Sequence, residues 1–100
     1  MKLLTKEIEN KLPPLHSTSE ENDPVAIVKF FDPVGSWTWY ATEFDGEDTF
    51  FGRTDGHFSE LGYFSLNELK NYKGHFGLGI ERDTSFTPTP LSKLPEKLNL

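Results

Sequence analysis

Asp55, His57 and Glu60 lie close together in the chain, with His75, Glu81 and Asp83 further on. A general base and the ligands of a divalent metal are drawn from such groups. The chemistry they would serve is metal-dependent cleavage of a phosphodiester. The patterns that organise it are missing: no His-Glu-x-x-His, no Gly-x-Ser-x-Gly, no Walker loop and no His-x-Glu with a Pro-Cys partner. Turn and surface positions account for the same residues, so no catalytic residue is assigned. A second cluster, Glu43, Asp45, Glu47 and Asp48, offers oxygen ligands of the kind Ca²⁺ or Mg²⁺ takes. Gly46 follows Asp45 directly, which is not the EF-hand spacing, and a solvated hairpin tip without metal is expected. Gly74-His-Phe-Gly-Leu-Gly79 carries three glycines but follows no clear strand, so a helix stop and a turn explain it better than a phosphate loop.

The acids are unevenly spread. Residues 20–60 carry ten of them against Lys29 and Arg53, a net charge of −8 within a chain of net charge −6. A negative field of that kind repels phosphates and attracts basic surfaces. The expected partner is therefore a protein with a basic surface, met by an acidic face of Glu43, Asp45, Glu47, Asp48, Asp55 and Glu60. Direct nucleic-acid binding is not expected. Trp37, Trp39 and Tyr40 form a candidate aromatic patch, but stacking on bases needs neighbouring positive charge, and these rings sit in the most acidic region. If exposed, they fit a protein partner better.

The elements that must position these residues are read from pattern. Thr5 is an N-cap, and Leu4, Ile8 and Leu12 share one face of a helix over about 5–12 that Pro13-Pro14 stops. Residues 16–24 are polar and rich in breakers, an exposed loop. Val25 to Phe31 is a strand, near-continuously apolar and so expected to be central and covered on both faces. A turn at Asp32-Pro33-Val34-Gly35 leads to a strand over 36–43, where Trp37, Trp39 and Ala41 alternate with Thr38, Tyr40 and Thr42. Asp45-Gly46 turns the chain into a strand over 48–54, and Gly62 to Phe64 is a short fourth strand. Ser65 with Glu68 matches a capping box for a helix to about Tyr72, ended by Gly74. A short strand near Asp83 is followed by an extended strap, 82–91, anchored by Phe86 and Leu91. Leu91 to Leu94 forms a last helical turn, and residues 95–100 fray. The fold class is α+β: a small curled antiparallel sheet of three or four strands packed with two short helices and an extended C-terminal strap.

A length of 100 residues allows one domain, 1–100, with a single core. Nine Phe, three Tyr and two Trp make that core aromatic. There is no cysteine, which excludes disulfides and thiolate metal sites and fits a reducing cytoplasm. Charges at Lys6, Glu7 and Glu9 interrupt any signal-peptide run, and no stretch approaches the roughly 20 apolar residues of a membrane span. A soluble cytoplasmic protein, with no cofactor and no membrane contact, is expected.

Several words of the chain resemble a bacterial family of small proteins of unknown function. They are Met1-Lys-Leu-Leu-Thr-Lys-Glu-Ile8, Lys11-Leu-Pro-Pro-Leu15, Val28-Lys-Phe-Phe31, Trp37-Thr-Trp-Tyr-Ala-Thr-Glu-Phe-Asp-Gly46, Leu61-Gly-Tyr-Phe-Ser-Leu66, Ile80-Glu-Arg-Asp83 and Phe86-Thr-Pro-Thr-Pro-Leu91. The resemblance covers nearly the whole chain. It implies cargo of plasmids, phages and integrative elements, often near anti-restriction genes, with some members labelled single-stranded DNA endonucleases. It brings no catalytic residues. The leading expectation is a non-enzymatic accessory protein of a mobile genetic element that binds a protein partner, as an anti-defence (anti-CRISPR or anti-restriction) inhibitor with a nucleic-acid-mimicking acidic face. The alternative is a metal-dependent single-stranded DNA endonuclease using Asp55, His57 and Glu60 or the Glu43–Asp48 turn.

Overall fold

The computed structural model describes residues 2–96. Thr5 caps the first helix, α1 (Lys6–Lys11), by accepting the Ile8 amide at 3.2 Å. Leu4, Leu12 and Ile8 carry it onto the core, and the chain leaves the helical conformation at Leu12, before the two prolines. Seven strands follow in two sheets: β1 (Val25–Ala26), β2 (Val28–Phe31), β3 (Thr38–Phe44), β4 (Thr49–Asp55), β5 (Ser59–Ser65), β6 (Glu81–Arg82) and β7 (Thr89–Pro90). The second helix, α2 (Leu66–Asn71), comes directly after β5.

The domain is a mostly antiparallel α+β structure, but its sheets are more extensive than the expected three or four strands. The main sheet has five, in the order β5-β4-β3-β2-β6, and β1 and β7 form a separate two-stranded sheet. The single strand expected over 25–31 divides after Ala26. Val28–Phe31 pairs with β3 and β6, while Val25–Ala26 pairs with Thr89–Pro90. The expected short strand at 62–64 is seven residues long and pairs with β4 along its whole length, from Thr49↔Ser65 to Asp55↔Ser59. The covering of β2 also differs from expectation, because its residues alternate between buried and half-buried.

A β-bulge decides which side chains enter the core. The β3–β4 register shifts between Ala41 and Glu43, leaving Thr42 as the extra residue, with its hydroxyl donating to the Phe51 carbonyl at 3.0 Å. Beyond the bulge the alternation of faces inverts. Phe44 therefore joins the core face opposite Phe50, and Glu43 passes to the other face opposite Phe51.

The core lies between that first face and the segment carrying α1, with α2 and Ile80 closing it. Phe44, Phe50 and Phe64 stack at centroid separations of 4.5 and 5.2 Å, and Phe30 meets Phe50 at 5.5 Å. A second, smaller core occupies the other face, where Ala26, Tyr40 and Leu94 are buried with Phe86 and Leu91 against them. The C-terminal strap makes this second core. It is tied by the β1–β7 pair, by Leu91 donating to the Pro24 carbonyl at 2.9 Å, and by Ser92, whose amide and hydroxyl donate to Asp23 at 2.9 and 2.6 Å. The last described element is a 3₁₀ turn, Leu91–Lys93, where a helical turn is expected. Of the end expected to fray, residues 97–100 lie outside the described residues.

Candidate functional site

The strap covers the outer sheet face at Tyr40 and Ala26. Beyond them the face is open over β4 and β5, and a groove of about 770 Å³ runs there. Its floor is Phe51, Arg53, Leu61 and Tyr63, and its walls include His16, Glu21, Asp23 and Ser92. Leu61 is 62% exposed and Tyr63 58%, high values for large apolar side chains on a regular strand. Tyr63 makes edge-to-face contacts with Phe51 and His16, at centroid separations of 5.1 and 6.1 Å.

One buried carboxylate builds the wall formed by the loop. Glu43 is 3% exposed and accepts the amides of His16 at 2.8 Å and Thr18 at 2.9 Å, together with the Thr18 hydroxyl. Burial works to raise its pKa, but the hydrogen bonds from Thr18 and His16 outweigh burial and hold it below its ordinary value. The loop expected to be simply exposed is thus tied down at its start by Glu43 and at its end by Asp23. The Asp23 carboxyl is itself held low, mainly by the Ser92 hydroxyl.

Arg53 is committed as well. Its guanidinium reaches Asp55 by two bonds of 2.8 and 2.7 Å and also donates to the Pro95 carbonyl, while its plane lies 5.4 Å from the Tyr40 ring centroid. The Asp55 bond raises the Arg53 pKa. Ser59 donates to the same carboxylate at 2.7 Å.

These bonds correct the expected acidic face. Glu43 and Asp55 are buried and spent on internal partners, so neither belongs to an exposed surface. Asp45 is exposed but accepts the amides of Glu47, Asp48 and Thr49 at 2.8–3.0 Å, which closes the hairpin and lowers its pKa. Asp48 accepts the Ser65 hydroxyl at 2.6 Å and the Asn67 amide at 2.7 Å, so it caps α2. Glu47 and Glu60 remain as exposed carboxylates of the expected set. The groove adds Glu21 and Asp23, which sequence reasoning placed only in a polar loop.

The aromatic patch divides in the same way. Trp39 is half-buried on the core face, and Tyr40 is buried under the strap on the opposite face, 5.9 Å from Phe86. Trp37 is 40% exposed beside β3, its ring laid over Gly56, where a Cβ would come within 2.4 Å of it, and against His57 at 5.9 Å. Trp37 and Trp39 share a face, with ring centroids 6.1 Å apart, but Tyr40 faces the other way, so one continuous patch of the three rings does not form.

Nor do the nuclease candidates converge. Asp55 is locked to Arg53, His57 packs on Trp37, Glu60 lies on β5, and Glu81 and Asp83 lie at the far edge of the sheet, where Asp83 meets Lys29 at 3.5 Å. The His75 side chain lies outside the described residues. Among the described residues, no three His, Asp or Glu side chains gather in a grouping that could hold a metal ion. No described helix is long and apolar enough to cross a membrane.

The exposed pair Leu61 and Tyr63 is what sequence reasoning missed. The signal was present as the alternation Ser59-Glu60-Leu61-Gly62-Tyr63, in which every second residue can share a face. No curated protein and no solved structure matches the chain. A family model described as "Protein of unknown function (DUF2958)" matches residues 3–97, and the chain belongs to that family.

Proposed function

We propose that this protein is a non-enzymatic binding protein that takes a basic protein partner on the open outer face of β4 and β5. One observation carries the reading: the groove joins two exposed apolar side chains, Leu61 and Tyr63, to the exposed carboxylates Glu21 and Asp23, with Glu60 on the adjoining strand edge, while Arg53, the one Lys or Arg among its described lining residues, is held by Asp55. An apolar floor with a charged rim is the composition of a specific protein contact. The charge would speed encounter and make binding sensitive to salt. We propose further that the setting is a mobile genetic element and the partner a host defence protein, with the acidic rim standing in for nucleic acid. The resemblance of the sequence words supports that setting, and the net charge of −6 supports the mimicry.

The test is capture of partners by the immobilised protein at about 50 and about 500 mM salt, a range over which the Debye length falls severalfold. The unaltered chain is compared with Glu21→Lys/Glu60→Lys. A partner held at low salt, lost at high salt and lost on charge reversal supports the proposal. A partner held equally by both chains at both salt concentrations overturns it. The metal-dependent endonuclease reading makes a different demand: cleavage of single-stranded DNA with Mg²⁺ or Mn²⁺ that is lost in His57→Ala and Glu60→Ala. Both residues are exposed, so both variants keep the fold.

A further inference from the structure

The two edges of the main sheet are unlike. At one end β6 is two residues long, too short to template another strand. At the other end β5 runs for seven residues, unbroken in register, and no described strand pairs with its outer side. Edge strands are ordinarily blunted by shortness, proline, lysine or a bulge. Ser59-Glu60-Leu61-Gly62-Tyr63-Phe64-Ser65 has no proline, lysine or bulge, and Glu60 is its one charged residue. Gly62, at its centre, has open space where a side chain would stand, so the sheet face on that side is uncovered there.

We propose that β5 is a strand-addition site, occupied by an extended basic segment of the partner protein that lengthens the sheet to six strands. This deepens the binding reading above and rests on it. Main-chain hydrogen bonds to the free edge would supply affinity, and alternate side chains would supply specificity. Because side chains on a strand alternate, one row of the incoming segment falls beside Leu61 and Tyr63 at the mouth of the groove, and the other beside Glu60. The favoured occupant therefore alternates apolar residues with Lys or Arg. Charge argues against a second copy of this chain. Pairing β5 with itself would join, edge to edge, two strands that each carry Glu60 and no basic residue, on chains that each carry a net −6.

The probe is a capped heptapeptide, Lys-Val-Lys-Val-Lys-Val-Lys, at low salt. Two further peptides carry the same side chains with alternate backbone nitrogens methylated, one in each frame. Amide hydrogen exchange and NMR shifts of residues 59–65 are read with and without each peptide. Expected are slowed exchange at alternate β5 amides, loss of that protection with one of the methylated frames, and binding weakened by about tenfold in Leu61→Ser, which keeps the Tyr63 ring contacts and so the melting temperature. If all three peptides bind equally, the basic-partner reading stands and strand addition falls. If none binds, both fall. A chain that sediments as a dimer without peptide, with its β5 amides already protected, overturns the proposed occupant in favour of a second copy.

Discussion

Glu43 holds Thr18 to the sheet by two bonds, from the amide and from the hydroxyl, across 25 positions of sequence. The His16 amide adds a third. Replacing Glu43 by Gln puts an amide where donors already converge. The expected loss is about 2–3 kcal/mol in urea unfolding, the scale of bonds to a buried charge. Faster amide exchange at His16 and Thr18 is the local sign, and unchanged exchange there would contradict the assigned role.

Stability should depend on acid in a defined direction. Bonds from Glu47, Asp48 and Thr49 lower the Asp45 pKa, the Ser85 hydroxyl lowers that of Asp83 and the Ser92 hydroxyl that of Asp23; in Glu43 the same kind of bond outweighs burial. Folded values below the ordinary 3.8 for Asp and 4.5 for Glu mean that the unfolded chain binds protons first as pH falls. The stabilisation is complete above about pH 5 and is lost as pH falls through the folded values. Melting temperature measured from pH 7 to 2 should be flat at first and then drop below about pH 4.

Arg53 and Asp55 should behave as a partly buried pair. Asp55→Ala leaves a guanidinium that is 14% exposed without its main partner, at an expected cost of about 3 kcal/mol. Asp55→Ala/Arg53→Met should recover part of that loss, because the charge left unpaired is then removed as well. A double-mutant cycle in urea measures the coupling.

The strap contributes to stability through its anchors. Leu94→Ala, at a position 7% exposed, is expected to cost about 2–4 kcal/mol. Deleting residues 84–100 should lower the melting temperature clearly, since Tyr40 and Ala26 lose their cover. An unchanged melting temperature would mean that the strap is not docked in solution.

Gly52 admits no side chain. A Cβ there would lie 1.8 Å from the Tyr40 carbonyl oxygen, in the backbone of the paired strand. Gly52→Ala is expected to prevent stable folding, whereas Gly62→Ala, in open space on β5, should leave circular dichroism and melting nearly unchanged.

Much of this architecture is legible in local chemistry. Thr5 and Ser65 cap their helices with their own hydroxyls, as their spacing to Ile8 and Glu68 indicates. The three strands of the central meander and the strap anchors Phe86 and Leu91 are legible from alternation, prolines and turn residues. The site is less so, because it depends on pairings distant in sequence. Nothing near Glu43 signals that a bulge turns it away from the core and onto residues 16–18. Nothing near Asp48 signals that it caps a helix starting at Leu66. The acidic block reads as a surface when charge is counted along the chain. Hydrogen bonding converts half of it into internal structure, and the face that remains is defined as much by Leu61 and Tyr63 as by charge.

The stitching of the two chain ends sets an order of assembly. The meander β3–β4–β5 joins neighbours in sequence and can pair as soon as it is made. Arg82, by contrast, donates to the carbonyls of Lys2 and Leu3, and Val25 waits for Pro90. Those closures join residues far apart in sequence, so none forms before residues 82–90 have left the ribosome. Until then the meander is free to pair while Tyr40 is uncovered and β2 lacks its outer neighbour.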